Sequence, residues 1–317
     1  MMNFFSHQKQ RKRFLGQFVA ASVLLFLIAF TLNGCSTDSY DTPPGVGGTQ
    51  ISSLLSPQQL NAWIGNGYQD DRGNRVVIFD GSSPANYNAG HIPGSYNVSY
   101  NTDFNKTRSD GPMMVSIMVA DGPMMDGLVQ KYGIDGSTSV VVFTGDAMIW
   151  SARGYWNFRY WGFPQNRLFV LNGKSTTANS VWTAAGYALT TDVPALPAPS
   201  TFSVSSWAGN MDQLRAPLDE MMNVAQGKVP NSVIIDSRAE VEWTATVGAT
   251  FAKAMEYRWN NSVWRPYQLD FAGTNVGDPY ATIALADGGS QVLKSKDQLL
   301  AEWAAAGFTQ DKKLYSS

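Results

Sequence analysis

The chain has 317 residues, a length that suits two domains of ordinary size. Hydrophobic residues make up 44% and aromatic residues 12%, enough for a sizeable core, which excludes disorder, collagen and coiled coil as the main state. Lysine and arginine total 23 against 25 aspartate and glutamate, a net charge of -2, so no basic excess exists to neutralise a phosphate backbone and nucleic acid is not expected as a partner. Two histidines and one cysteine cannot assemble a zinc site of Cys and His ligands, a c-type haem attachment or an internal disulfide, and no metal or cofactor is expected.

Lys9, Arg11, Lys12 and Arg13 precede an apolar run from Phe14 to Leu32, broken only by Gly16, Gln17, Ser22 and Thr31. This is a charged n-region followed by an h-region. Its core from Phe18 to Leu32 is 15 residues, short of the ~20 that a spanning helix needs. It ends in Leu32-Asn33-Gly34-Cys35, which resembles the lipobox of bacterial lipoproteins. The resemblance implies a signal peptide over residues 1–34, cleavage before Cys35 and acylation of that residue, tethering the protein to a membrane without spanning it. Ser36 in place of aspartate resembles the outer-membrane sorting rule, so the expected location is the bacterial outer membrane, on its periplasmic or cell-surface face. Residues 1–34 hold four positive charges and no negative one, leaving the remainder at -6. Residues 35–50, with Pro43-Pro44-Gly45-Val46-Gly47-Gly48 and no hydrophobic period, read as a flexible tether.

Two segments with one grammar follow, residues 51–192 and 201–317, joined by a linker at 193–200 that Pro194, Pro197 and Pro199 stiffen. In the first, Ser56 is the N-cap of a helix over Pro57–Ile64. The apolar run Val76–Phe79, stopping at Asp80, suits a strand buried on both faces of a parallel sheet. Asp121 and Pro123 mark the cap and first turn of a helix running to Tyr132. Val140–Phe143 is a second buried strand, Trp150–Trp161 a helix, and Leu168–Leu171 a third strand before Asn172-Gly173. The second segment repeats the order: Val233–Ile235 ending at Asp236, a helix at Lys296–Ala306, then Leu314-Tyr315. Strands alternating with helices point to open, mostly parallel α/β sheets. Two copies of Asp-Gly-Pro-Met-Met, at 110–114 and 121–125, carry thioethers that suit Cu(I), although methionine also fills irregular core gaps.

At these residues the chain resembles the tandem rhodaneses, thiosulfate or mercaptopyruvate sulfurtransferases of two similar domains. The first half carries Asp80, Tyr87, Gly90-His91-Ile92-Pro93-Gly94, Asn97, Val140-Val141-Val142-Phe143, Ser151-Ala152-Arg153, Trp156, Gly162, Val170-Leu171-Asn172-Gly173, Trp182 and Gly186-Tyr187. The second carries Asp236-Ser237-Arg238, Glu240, Trp243 and the helix before its next strand, with only residues 248–254 standing where the Gly-His-Ile-Pro-Gly element belongs. The resemblance implies two rhodanese-like domains, sulfane sulfur as cargo, and a cysteine thiolate at a strand end that holds it as a persulfide within a backbone nest.

In the first half that position is Thr144, followed by Gly145 and Asp146. A hydroxyl cannot carry a persulfide, so Thr144, Gly145, Asp146 and Arg153 read as a degenerate site and the first domain as non-catalytic. In the second half the family pattern places the nucleophile just after Ser317. The second domain is therefore expected to be incomplete and the chain inactive as it stands. A truncation, a frameshift, a binding-only domain and a UGA codon read as selenocysteine all fit that position. Asp80 and Asp236 read as loop-fixing acceptors, His91 as a loop-holding histidine, and Arg238 as either an anion-positioning group or half of an internal ion pair. The expected partners are a small sulfur-containing donor or anion, the membrane through Cys35, and an envelope protein. The rival reading is a non-catalytic binding or scaffold lipoprotein of an outer-membrane complex.

Overall fold

The computed structural model describes residues 53–100, 102–110, 113–145, 147–175, 180–207, 214–238, 243, 259–272, 290–309 and 311–316. The expectations for residues 1–34, Cys35, the tether, Asp146, Glu240 and 248–254 lie outside the described residues.

Strand β1, Leu54–Leu55, leads through the Ser56 cap, whose hydroxyl accepts the Gln59 N–H, into α1, Pro57–Gly65. Strand β2, Val76–Asp80, is buried along its whole length. A second Ser-Pro start at Ser83 opens α2, Pro84–Ala89, before β3, Ser95–Asn97. Strands β4, Asn105–Asp110, and β5, Met113–Val119, pair antiparallel as a separate ribbon. Asp121 then caps α3, Gly122–Lys131. Next come β6, Ser139–Phe143, α4, Met148–Tyr160, β7, Leu168–Leu171, and α5, Val181–Ala184.

The five strands other than the ribbon form a parallel sheet ordered β1-β7-β6-β2-β3. Period-2 alternation divides its strands between two apolar layers. Val77, Phe79, Val140, Val142, Leu168 and Val170 face α3 and α4. Val76, Ile78, Val141, Phe143, Phe169 and Leu171 face Leu60 and Trp63 of α1 and Trp182 of α5. Helices on both faces explain why these strands are apolar without interruption.

After the linker, α6, Leu218–Ala225, precedes β8, Ser232–Asp236, and β9, Ser262–Trp264; α7, Lys296–Ala305, precedes β10, Lys313–Ser316. These strands are parallel in the order β10-β8-β9, which repeats β6-β2-β3. Val233, Ile235, Leu299 and Trp303 belong to the same buried cluster as Phe79 and Val142. The β4–β5 ribbon was not expected: Asn-Lys-Thr-Arg-Ser-Asp carries no apolar period, and its partner strand contains Ile117 at φ 60. The methionines serve the core unevenly, with Met118 and Met125 buried and Met114 exposed.

Candidate functional site

In an open parallel sheet, ligands are met beyond the carboxyl ends of the strands. In the first sheet those ends bring together Asp80, Ser82, Tyr100, Thr144 and Gly145. Oδ1 of Asp80 accepts the Ser82 N–H at 2.8 Å and its hydroxyl at 2.5 Å, and the same hydroxyl oxygen accepts the Gly145 N–H at 2.7 Å. Asp80 therefore holds the loop after β6 through Ser82, a relay that no local motif announced. Asn97 braces the turn from its other side, its Nδ2 donating to the carbonyls of Asp80 at 3.0 Å and Ser82 at 2.9 Å. Tyr100 is buried and donates to the Phe143 carbonyl at 3.0 Å. Burial holds its hydroxyl protonated well above the ordinary tyrosine range, with the nearby Asp80 adding to the shift. Gly81 is required beneath it, because a Cβ there would lie 1.4 Å from the Tyr100 ring.

Thr144 itself is fully buried. Its hydroxyl is thus neither a sulfur carrier nor presented to solvent. At the start of α4, Ala147 supplies no capping side chain, and the Met148 N–H is taken instead by Oε1 of Gln291 at 2.7 Å.

Arg153 does not join this loop. Its Nη1 donates to the Ile117 carbonyl at 3.0 Å, on the ribbon, while Nε and Nη2 have no hydrogen-bond partner among the described residues. Burial draws its pKa down to about 10. His91 also lies elsewhere, before the start of β3. Its ring stacks on Tyr87 at 3.7 Å, its Nδ1 lies 2.9 Å from the Tyr87 carbonyl, and its Nε2 lies 3.1 Å from that of Asp192. With its backbone bridged to Thr190, His91 ties the start of the linker to the first sheet.

In the second sheet the equivalent strand end carries Asp236, which accepts Nε of Arg238 at 2.8 and 3.0 Å and Nη2 at 2.5 Å, both residues being buried. Arg238 is therefore engaged by its own strand-end carboxylate. Trp264 donates to the Arg238 carbonyl at 3.0 Å and stacks on Trp243. In β6 the residue opposite Asp80 is Phe143, and Thr144 follows it. In β10, Ser316 lies opposite Ile235. By register, Ser316 is the counterpart of Val142.

Residues 56–175 match the family described as Rhodanese-like domain. This part of the chain is a rhodanese-like domain. The sulfur carrier protein TtuD of Thermus thermophilus is 26% identical over 227 residues, covering 71% of this chain and 70% of that protein. A Haloferax volcanii protein, provisionally named a thiosulfate sulfurtransferase, is 22% identical over 195 residues, or 61% of this chain and 60% of its own. The solved anaerobic ergothioneine biosynthesis enzyme of Chlorobium limicola shares the fold with a TM-score of 0.55 at 18% identity, over 84% of this chain and 60% of that one. The chain thus spans three fifths of the length of these last two relatives. Among the described residues, no helix is long and apolar enough to cross a membrane and no cluster suited to a metal ion is present.

Proposed function

We propose that this rhodanese-like protein handles sulfane sulfur, taken from thiosulfate or a related donor, at the bacterial outer membrane, where Cys35 anchors it. Its first domain, residues 51–192, is the non-catalytic partner; its second, residues 201–317, leads up to the position of the nucleophile. The observation that carries this reading is the pair of equivalent strand ends. One is closed by a buried threonine. The other, by the pairing of β10 with β8 up to Ser316, supports a sulfur-bearing residue directly after Ser317. The relatives named for sulfur carriage and sulfur transfer support the cargo.

Residues 36–317 contain no cysteine, so with thiosulfate as donor and cyanide as acceptor they are expected to form thiocyanate no faster than buffer. Turnover above that background would move the nucleophile to another residue. The codon following Ser317 completes the test: a cysteine codon, or UGA read as selenocysteine, agrees with the proposed position, and any other residue there favours a docking lipoprotein without chemistry. That second reading draws support from the burial of Thr144 and the occupied start of α4. For the anchor, Cys35→Ala is expected to leave the protein at precursor mass and outside the outer-membrane fraction; unchanged sorting in a fractionation experiment would remove lipidation from the proposal.

A further inference from the structure

The amino end of a helix, with its unpaired N–H groups and positive dipole end, attracts an anion or a carbonyl oxygen. At α4, 13 residues long, the occupant is a side chain of the second half. Gln291 is buried, and its Oε1 sits 2.7 Å from the Met148 nitrogen, 143 residues away in sequence. Its backbone lies at φ 53, a conformation that a non-glycine residue holds only at a cost. The flanking residues hold it there. The Lys174 N–H donates to the Ser290 carbonyl at 2.9 Å, and the Leu293 N–H donates to Oδ1 of Asn172 at 2.9 Å. Gly173, at φ 122, leaves room for this approach: a Cβ there would stand 2.9 Å from the Ser290 oxygen. Segment 290–293 is thus seated beyond the carboxyl end of β7 and against the amino end of α4.

We propose that the amino end of α4 is an internal socket, and that Gln291 is its plug: the amide oxygen stands where a substrate anion would lie against α4. The first half then binds the second half of its own chain rather than thiosulfate. This goes with the non-catalytic reading of the first half, and its test does not use sulfur transfer, so the two fail separately.

The experiment is amide hydrogen exchange followed by NMR on the 317-residue chain, with thiosulfate as the probe anion. In the unaltered chain the Met148 amide is expected to be protected and the Gly145 and Met148 signals unmoved by millimolar thiosulfate. Gln291→Ala is expected to speed Met148 exchange at least tenfold and to let thiosulfate shift both signals. Gln291→Glu, which keeps an acceptor oxygen at the same reach, is expected to retain protection and exclude thiosulfate. Slow exchange at Ile78 and Val141, in the centre of the sheet, certifies each variant as folded. Unchanged Met148 exchange in folded Gln291→Ala overturns the proposal. So does a response of the unaltered chain to thiosulfate, which would mean an open anion site. If Gln291→Ala does not fold, Gln291→Glu decides alone: loss of Met148 protection in it would overturn the proposal, and retention upholds it.

Discussion

Asp270→Ala is expected to destabilise the protein by about 3–5 kcal/mol, the cost of stranding a buried cation. Asp270 is fully buried and accepts from Nη1 of Arg265 and, at 3.1 Å, from the Trp303 indole. Arg265 is itself buried, with its guanidinium 5.1 Å from the Trp303 ring centre. Without Asp270 the carboxylate left to Arg265 among the described residues is Glu302, 3.3 Å away and already 2.7 Å from Lys294. Replacing both partners removes the stranded charge, so Arg265→Met with Asp270→Ala should recover most of the loss; additive losses in urea unfolding would contradict the argument. The pair also sets a pH dependence. Burial raises the Asp270 carboxyl above its ordinary 3.8, and Arg265 and the Trp303 hydrogen bond pull it back without cancelling that rise. A carboxyl that holds its proton more tightly when folded favours folding in acid. Its contribution to stability therefore declines as pH rises from 3.8 through the raised folded value, and is level above that. Asp270→Asn should flatten this part of the stability profile.

The second large effect separates two strand ends that look alike in sequence. Asp236→Ala is expected to cost about 3–5 kcal/mol, because buried Arg238 loses its strand-end carboxylate. Asp80→Ala is expected to cost less, about 1–3 kcal/mol, because its Oδ1 receives the neutral N–H and hydroxyl of Ser82. Denaturant midpoints of the two variants decide it. Equal losses would mean that Arg238 is satisfied without Asp236.

Most of the framework was legible because its signals are local. The Ser56 and Asp121 caps use side-chain bonds spanning three residues, and the runs at Val76, Val140 and Leu168 are apolar throughout because each is covered on both faces. The site was only partly legible. Asp80 reaches Gly145 through Ser82, whereas Arg153 turns to the ribbon and His91 to the Asp192 carbonyl. Ser82 and Gln291 carried no signal: the first acts on Gly145 and the second on Met148, 63 and 143 residues away.

The repeated Asp-Gly-Pro-Met-Met marks the division most plainly. At 121–125 the aspartate caps α3 and the proline fills its first turn. In the copy at 110–114, Asp110 closes β4 and Met113 and Met114 open β5. Short helices and ribbons draw their stability from packing more than from propensity. The first copy sits at the end of a ladder of cross-strand partners, with Arg108 opposite Val115 and Ser109 opposite Met114. The second is followed by Leu128 and Val129, which bury with Met125 against the sheet. Composition, periodicity and capping determined that this chain makes parallel α/β sheets whose first strand end lacks a thiol. The tertiary structure decided what each local motif became, and which distant side chain meets the amino end of α4, because those choices depend on surfaces that meet only after folding.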